Sequence, residues 1–422
     1  PDAIHHESGG MFNAELVDQP IGKGSNLVLV LVHSVHVQNP APLIQGADEI
    51  ANRIEAPGGG PWGRAWDGGV HDAVLLDYGL ASGDDASASM SLTFRTAPYT
   101  RISPKMKWLK RLLGGLLGLM VLAWLGFVIY AYWPTGIKEV PAVNLAGPAD
   151  RFASVDGVNI RYRTWGSPAD GKPTALLLHG FANSLQSFRR VAPLLADSYY
   201  VVAYDMPGYG LSDKPAPFDY QNAHQAEIAG NLIKALGLEN VVVGGHSLGG
   251  AIALRVALQS PEVIGLVVMN PGIITTGVPA IAKYMVFPFP RIQAKLFGDP
   301  QFRASFLRRS FVDPSIVTDD VIRELSLTSR SEGYLAGMTN LLGQYTDAEE
   351  VPMLPRLAVP SLIVWGEQDR GKPRGEFEEL KSMLPLNTAV LVSTSGHYVQ
   401  EEAPAETAAA MISFVNRLTP PQ

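Results

Sequence analysis

The chain of 422 residues contains no cysteine. Disulfide frameworks, thiolate metal centres and a cysteine nucleophile are therefore excluded. Charge is also scarce, because Asp, Glu, Lys and Arg make up 17% of the residues against roughly 25% in soluble domains. There is no basic excess: the net charge is -7, which argues against nucleic acid as a partner. The shortage of charge predicts a membrane segment, a large buried core, or both.

One segment has the length and composition of a membrane-spanning helix. Residues 112–133 carry no charge and would form a helix about 33 Å long, enough for a bilayer core of about 30 Å. Basic residues are concentrated in 105–111, and only Lys138 follows the run closely. The positive-inside rule then predicts a single-pass protein with a cytoplasmic N-terminus and an extracytoplasmic, periplasmic-side remainder. A cleaved signal peptide would have a shorter apolar region, so an uncleaved anchor over residues 106–134 is the preferred interpretation.

The first 105 residues resemble no known module. They mix glycine-rich stretches with one short apolar run and lack a sustained helical or strand period. Met106 is followed by the basic cluster and the apolar run, which is how a membrane-anchored protein typically begins. We therefore predict that residues 1–105 are a poorly ordered or non-native extension without a functional role.

After a linker predicted over residues 135–149, strand-like and helix-like segments alternate. An Asp156-Gly157 turn joins two strand-like segments into a predicted hairpin. Apolar strands that alternate with helices predict a mostly parallel sheet with helices on both faces. The rhythm breaks over residues 272–350, which are rich in Phe and Tyr and have mainly helical patterning, so we predict an inserted helical lid. The predicted core then has two parts, residues 150–271 and 351–422. The predicted strands are 152–155, 158–162, 174–178, 200–203, 241–243, 265–269, 361–365 and 389–392.

A G-x-S-x-G motif, Gly245-His246-Ser247-Leu248-Gly249, lies between a predicted buried strand and a helix with small residues. Strand, tight turn and helix in this order are typical of a nucleophile elbow, which holds a serine hydroxyl at the edge of a sheet. The flanking glycines fit because a Cβ there would collide with the neighbouring strand and helix. Ser247 is the candidate nucleophile.

A serine nucleophile needs a base and a group that orients the base. Asp369 and His397 follow later predicted strands in the expected order, at the strand ends where sites of open α/β sheets assemble. Glu367 remains an alternative acid and His246 an alternative base. Asn270 also follows a strand, but it cannot carry the charge that stabilises an imidazolium, so it is a poor third member.

The tetrahedral oxyanion of acyl transfer requires two preorganised donors. The first is expected to be the backbone N–H of Leu248, directly after the nucleophile and at a helix N-terminus. The second is expected from the loop His179-Gly180-Phe181, where Gly180 allows the chain to turn inward and the Phe181 N–H donates. No metal or organic cofactor is implied.

These motifs together resemble those of the α/β-hydrolase superfamily of serine hydrolases, over residues 150 to 418. The resemblance is to membrane-anchored esterases and monoacylglycerol lipases in particular, and it implies Ser247 as nucleophile, His397 as general base and Asp369 as its orienting acid. The motifs that carry it are His179-Gly180-Phe181, the segment from Asp205 to Ser212, the elbow, Trp365-Gly366 with Asp369 and Pro373, and Gly396-His397 with Glu402 and Pro404.

A serine at the elbow favours acyl transfer, and hydrolysis of carboxylic esters is the preferred function. A carbon–carbon bond hydrolase of ring-cleavage products and an inactive, membrane-tethered binding module remain alternatives. The oligomeric state cannot be read from the sequence. Lid arginines 303, 308 and 309 fit a solvated helix face, with anionic headgroups as another possible contact. The candidate acyl-chain contacts in the lid, which alternatively only pack it onto the core, are Tyr284, Met285, Phe287, Phe306 and Met338.

Overall fold

The computed structural model describes three strands before residue 104, then residues 104–168, 171–277, 284, 286–344 and 349–418, with side chains from Trp108 onward. The early strands are β1 (His33–His36), β2 (Val74–Ala81) and β3 (Ser89–Thr96). They form an antiparallel sheet in the order β1-β3-β2. This sheet lies where the sequence shows no sustained strand period. The remainder of the first 103 residues lies outside the described part.

Helix α1 (Pro104–Tyr132) contains the apolar segment. Its portion Trp108–Tyr132 has a mean hydropathy of 2.4 and is long and apolar enough to cross a membrane. A short linker follows and pairs with the lid: the N–H of Val140 donates to the carbonyl of Arg330 at 2.8 Å, and the Val140 carbonyl accepts from Glu332 N–H at 3.0 Å. The segment after the apolar helix is therefore bound to the lid by backbone hydrogen bonds.

An eight-stranded sheet forms the centre of the domain, in the order β11-β10-β9-β8-β6-β7-β5-β4. The pairs from β11 to β7 are parallel, and β5 and β4 add an antiparallel edge. The strands are β4 (Arg151–Val155), β5 (Val158–Trp165), β6 (Thr174–Leu178), β7 (Tyr200–Tyr204), β8 (Val241–His246), β9 (Val263–Met269), β10 (Ser361–Gly366) and β11 (Asn387–Val392). Each contains the segment predicted from its apolar run.

Helices cover both faces of this sheet, because successive strand residues point to opposite sides. Leu176 and Leu178 of β6 belong to one buried cluster, whereas Ala175 and Leu177 belong to the other. The remaining helices are α2 (Ala192–Leu195), α3 (Asn222–Ala235), α4 (Leu248–Gln259), α5 (Phe289–Gly298), α6 (Pro300–Ser310), α7 (Asp319–Leu325), α8 (Tyr334–Leu342), α9 (Arg374–Met383), α10 (Val399–Glu402) and α11 (Pro404–Leu418). Helices α3, α4 and α9 pack on the first cluster, and α2 and α11 on the second.

We use the name lid for the set of helices α5 to α8 between β9 and β10. An ionic cluster ties it to the core. Arg161, on β5 and 2% exposed, has its Nη2 3.1 Å from Glu324 Oε1 of α7 and its Nη1 3.1 Å from Asp205 Oδ2. The Nε of Arg161 lies 2.8 Å from Asp150 Oδ1. One buried cation thus joins the sheet, the residue just before β4 and the lid.

Candidate active site

Ser247 occupies a strained turn between β8 and α4. Its backbone has φ +52° and ψ -120°, in the region that non-glycine residues rarely adopt. A Cβ at Gly249 would collide with the carbonyl of Leu178, and one at Gly245 would collide with the carbonyl of Gly249. Only glycine fits at these two positions, so the G-x-S-x-G spacing is a steric requirement of the turn, which holds Ser247 at the sheet edge.

Asp369 and His397 are brought into direct contact. His397 Nδ1 lies 2.6 Å from Asp369 Oδ2, and the side chain of Asp369 is 2% exposed. Both residues follow the carboxyl ends of parallel strands, β10 and β11, and Ser247 follows β8. Strands β11, β10, β9 and β8 are consecutive neighbours in the sheet, so the three loops emerge at one edge.

Hydrogen bonds favour the charged form of Asp369. Burial raises the pKa of this carboxyl, but the hydrogen bond and the charge of His397 and the N–H of Gly371 outweigh burial, and the pKa lies below its ordinary value. Asp369 Oδ1 also accepts from the N–H of Lys372 at 3.1 Å. An ionised Asp369 accepts a hydrogen bond from the Nδ1–H of His397, and this keeps the proton on Nδ1 and leaves Nε2 of the ring free to act as a base.

Asn270 is a functional candidate that the sequence analysis set aside. Its Nδ2 donates to Asp369 Oδ2 at 2.9 Å, and its Oδ1 accepts from the Gly366 N–H at 2.8 Å. Asn270 directly follows β9, with backbone φ +40°. The sequence analysis considered Asn270 only as a substitute for the acid. In the structure Asn270 instead donates a hydrogen bond to the acid, Asp369. Its position between the elbow strand and the Asp369 strand was the available signal.

The alternative acid and base have other partners. Glu367 Oε1 accepts from Arg374 Nη1 at 2.7 Å. His246 Nε2 lies 2.8 Å from the His397 carbonyl, and burial, followed by repulsion from His397, lowers the pKa of His246 well below its ordinary value. A neutral His246 therefore supports the His397 loop. Within the described part of the chain, no group of three His, Asp or Glu side chains converges to hold a metal ion.

Residues 180–183, the oxyanion loop, lie against the nucleophile. A Cβ at Gly180 would be 3.1 Å from Ser247 Cβ and 2.9 Å from His246 Nδ1, so a larger residue would displace the elbow. Leu248 is the first residue of α4, where backbone N–H groups at a helix start have no partner within the helix. Phe181 and Leu248, the two predicted oxyanion donors, line one cavity.

The cavity beside Leu248 is small and mostly apolar. Its volume is about 70 Å³, and the lid side of its wall is formed by Leu341, Leu342 and Gln344. Ligand sites typically measure about 300–1,000 Å³, so in this conformation the cavity can hold only part of an organic substrate. A larger substrate requires movement of the lid.

The four predicted acyl-chain contacts that the structure describes do not line this cavity. Tyr284 and Phe287 are exposed, and Phe287 contacts the rings of Trp124 and Tyr132 on α1. Phe306 contacts the Phe297 ring within the lid. Met338 is buried in the core cluster, and Met285 lies outside the described residues.

A second cavity, about 920 Å³, lies within the lid between α6 and α7. It is lined by Ala304 and Ile322 together with the arginines Arg308, Arg309 and Arg323. Neither cavity is lined by the three predicted catalytic residues, but Leu248, the neighbour of Ser247, lines only the smaller one. Its size alone would favour it as a ligand site, but the smaller cavity lies beside the elbow and is lined by both predicted oxyanion donors. The smaller cavity is therefore the candidate active site.

Comparison with known proteins agrees with this geometry. A family model described as the alpha/beta hydrolase fold matches residues 173–404, which is more than half of the chain. The chain belongs to the α/β-hydrolase family. The predicted fold, a mostly parallel sheet with helices on both faces, is thereby confirmed. The matched range contains Ser247, Asp369 and His397.

The relatives of this α/β-hydrolase include enzymes with lipid-directed names. An uncharacterized hydrolase of Bacillus subtilis is 30% identical over 65% of the chain and 100% of its own length. A crystal structure of a membrane phospholipase A superposes with a TM-score of 0.54 at 26% identity, covering 74% of this chain and 100% of that one. A putative lipase from Acinetobacter baumannii has a TM-score of 0.55 at 27% identity, covering 66% and 94% of the two chains.

Proposed function

We propose that the chain is a membrane-anchored serine hydrolase that cleaves carboxylic esters through an acyl-enzyme. The observation that carries the proposal is the 2.6 Å contact between His397 Nδ1 and Asp369 Oδ2, beside a strained elbow that holds Ser247. In such a triad the serine is the nucleophile, the histidine is the base, and the aspartate stabilises the charge that the histidine acquires. Ser247, His397 and Asp369 have these roles in the proposed reaction.

In the first half of the reaction, Ser247 Oγ attacks the ester carbonyl while His397 Nε2 takes the hydroxyl proton. Asp369 stabilises the resulting imidazolium and fixes the ring so that Nε2 faces the substrate. The N–H groups of Phe181 and Leu248 bind the oxyanion of the tetrahedral intermediate. His397 then donates its proton to the departing alcohol, and the acyl group stays on Ser247.

In the second half, water replaces the alcohol. His397 removes a proton from the water, the hydroxide attacks the acyl-enzyme carbonyl, and a second oxyanion forms in the same hole. The proton on His397 returns to Ser247 Oγ as the carboxylic acid leaves. No group beyond these side chains and the two backbone donors is needed for the full cycle.

Contacts between α1 and the lid support membrane lipids as the substrate class. Lys295 Nζ of α5 donates to the Trp133 carbonyl at 2.8 Å, and Arg291 Nε donates to the Ala131 carbonyl at 3.1 Å. The same two cations lie over aromatic rings, with Arg291 Cζ 4.6 Å from the Tyr132 ring centre. Cations at a helix C-terminus satisfy its last carbonyls and its dipole.

This attachment keeps the lid at the end of the apolar helix, where a bilayer surface would lie. Helix α8 packs on α5 and also contributes Leu341 to the cavity beside Leu248. An acyl chain that leaves the bilayer would therefore meet the apolar wall of the site first. Similarity to a membrane phospholipase A points to the same class of substrate, with acylglycerols as a further candidate.

The proposal is tested with the full chain in detergent micelles. A fluorophosphonate probe is expected to label the wild type and to leave Ser247→Ala unlabelled. A panel of p-nitrophenyl esters, phospholipids and monoacylglycerols then ranks acyl length and headgroup, with Ser247→Ala as the matched control. Labelling of both proteins at equal rates would contradict the assignment of the nucleophile. Turnover of a vinylogous diketone without ester cleavage would favour the carbon–carbon hydrolase.

Membrane anchoring is tested separately. We expect the chain to remain with membranes after alkaline carbonate extraction and a variant that starts at Val140 to be released. Protease added from outside spheroplasts should digest the catalytic domain if the basic residues before α1 keep the N-terminus cytoplasmic. Protection of the catalytic domain in intact spheroplasts would reverse the proposed topology.

A further inference from the structure

Arg303 is a lid residue whose charge is buried away from carboxylates. It lies on α6 and is 2% exposed. Its Nε and Nη2 donate to the Phe297 carbonyl at 3.0 and 2.6 Å, and its Nη1 donates to the Ala182 carbonyl at 3.1 Å. Within the described residues no carboxylate forms an ion pair with it. A buried guanidinium is costly unless its hydrogen bonds are made, so these carbonyl contacts define where it must sit.

Ala182, the residue that Arg303 holds, has an unfavourable backbone conformation. Its φ is +54°, the left-handed region that favours glycine. The N–H of Asn183 donates to the Gly180 carbonyl at 3.3 Å, which closes a turn with Ala182 at the position where glycine is usual. Such a conformation persists only where surrounding contacts hold it. The Arg303 hydrogen bond is a contact of that kind.

The same segment of the lid also contacts Phe181 directly. The rings of Phe297 and Phe181 meet edge to face, with centres 5.4 Å apart. Arg303 spans the two carbonyls of Phe297 and Ala182, so it links the end of α5 to the oxyanion loop. The lid therefore contacts the side chain of Phe181 and holds the carbonyl of Ala182, the next residue in the turn.

We propose that Arg303 is a positioning residue for the oxyanion hole: by holding the carbonyl of strained Ala182, it fixes the turn that aims the Phe181 N–H at the reacting carbonyl. This inference rests on the proposed function, because it assigns Phe181 as an oxyanion donor. It adds a dependence on the lid: the hole is complete only while α6 is seated on the oxyanion loop. Opening of the lid to admit substrate relaxes the turn, and closure restores it before attack by Ser247.

The experiment compares Arg303→Met with Arg308→Met, a matched change on the same helix. Arg308 is 43% exposed and pairs with Asp319 at 3.0 Å, away from the oxyanion loop. The rate of fluorophosphonate labelling and kcat should both fall about 10- to 100-fold in Arg303→Met, since loss of an oxyanion donor costs about 10²–10³. KM should change less than kcat, and Arg308→Met should keep wild-type rates.

The variant Ala182→Gly separates positioning from a purely structural role. Glycine adopts the positive φ without strain, so the turn no longer depends on the arginine. We expect the loss caused by Arg303→Met to be at least fivefold smaller in the Ala182→Gly background. Equal losses in the two backgrounds would overturn the proposal, as would wild-type labelling of Arg303→Met.

The remaining outcomes distinguish the positioning role from the proposed function. If Arg303→Met does not fold, Arg303→Lys is used instead in the wild-type and Ala182→Gly backgrounds. Lysine keeps the charge but cannot bind the carbonyls of Phe297 and Ala182 as the guanidinium does. The loss of activity is again expected to be smaller in the Ala182→Gly background. Failure of the wild type to react with the probe would instead refute the proposed function and the positioning role together. A labelled wild type with an unaffected Arg303 variant refutes the positioning role alone.

Discussion

The sheet and the lid hold their functional residues in different ways. In the sheet, backbone pairing between β8, β9, β10 and β11 brings the loops of Ser247, Asp369 and His397 to one edge. In the lid, individual side chains do the work: Glu324 binds Arg161, and Arg303 binds the Ala182 carbonyl. In the sheet, many backbone hydrogen bonds together fix the positions of the loops. In the lid, a few long side chains fix the position of the helices.

This difference implies that substitutions have different consequences in the two regions. A change at the catalytic edge should remove activity and leave the fold intact, because the backbone already fixes the loops. A change at a lid contact should alter the seating of the lid, and with it the oxyanion loop and the cavity. Variants in the two regions should therefore separate loss of chemistry from loss of lid position.

The largest effect is expected from the nucleophile and the base. Ser247→Ala and His397→Ala should each lower kcat for an ester substrate by at least about 10⁴-fold, because members of a triad act as a unit. The melting temperature should stay within a few degrees of the wild type, since neither change removes a ladder hydrogen bond or a core side chain. Steady-state kinetics and circular dichroism on the same samples measure both. Unfolding of either variant would mean that the edge depends on its catalytic side chains.

The next effect concerns the cation that joins the sheet to the lid. Arg161→Met leaves the buried Asp205 carboxylate without its cation and Asp150 with Arg163 alone, and it should lower the free energy of unfolding by about 3–5 kcal/mol. Glu324 is 34% exposed, so Glu324→Gln should cost about 1 kcal/mol or less and loosen mainly α7. Urea titration gives the first value and hydrogen exchange of α7 peptides the second.

The control for this pair is Arg323→Gln, because Arg323 forms an exposed ion pair with Asp320 on the same helix. It should leave both measurements within about 0.5 kcal/mol of the wild type. Faster exchange throughout the sheet of Glu324→Gln would show that lid and core unfold as one unit, and the distinction between the two regions would then fail.

The sheet follows from the sequence because its signal is local. Apolar runs of β-branched residues, the glycines around Ser247 and the strand-end positions of Asp369 and His397 all lie in short segments. Arg303 was expected on a solvated face, and the structure buries it, because the carbonyl of Ala182 that it binds is distant in the sequence. Asn270 was missed for a similar reason: its role exists only beside Asp369, brought close by the sheet.

A buried carboxylate on α10 allows the effect of burial to be tested through the pH dependence of stability. Glu401 of α10 is 2% exposed, and burial raises its pKa to about 7 despite its ion pair with Arg189. An acid whose pKa is raised by folding holds its proton longer in the native state, so stability falls as the pH rises from about 4.5 to 7 and is flat above. At 1.36 kcal/mol per pKa unit, this loss amounts to about 3 kcal/mol.

Glu401→Gln removes this titration. The difference in unfolding free energy between the variant and the wild type should therefore shift by about 3 kcal/mol in favour of the variant between pH 4.5 and 7. Asp369 acts in the opposite direction, because its pKa is lowered in the native state. Its ionised form stabilises the native state at pH values above the ordinary pKa of an aspartate, and this stabilisation is lost as the pH falls. Urea titrations at several pH values measure the shift, and a constant difference across this range would contradict the burial argument.

A smaller loss of activity than in the nucleophile and base variants is expected at Asn270, and it decides how the catalytic edge is tuned. Asn270→Ala removes a hydrogen bond to the Asp369 carboxylate worth about 1.5–3 kcal/mol, so kcat should fall about 10- to 100-fold while KM changes little. Asn387 is the matched control: it begins β11 at the opposite end of the sheet, where its Nδ2 donates to the Leu384 carbonyl at 2.6 Å. Asn387→Ala should affect stability and leave kcat unchanged. If both variants lost kcat equally, the loss would reflect the sheet as a whole, and Asn270 would have no separate part in orienting Asp369.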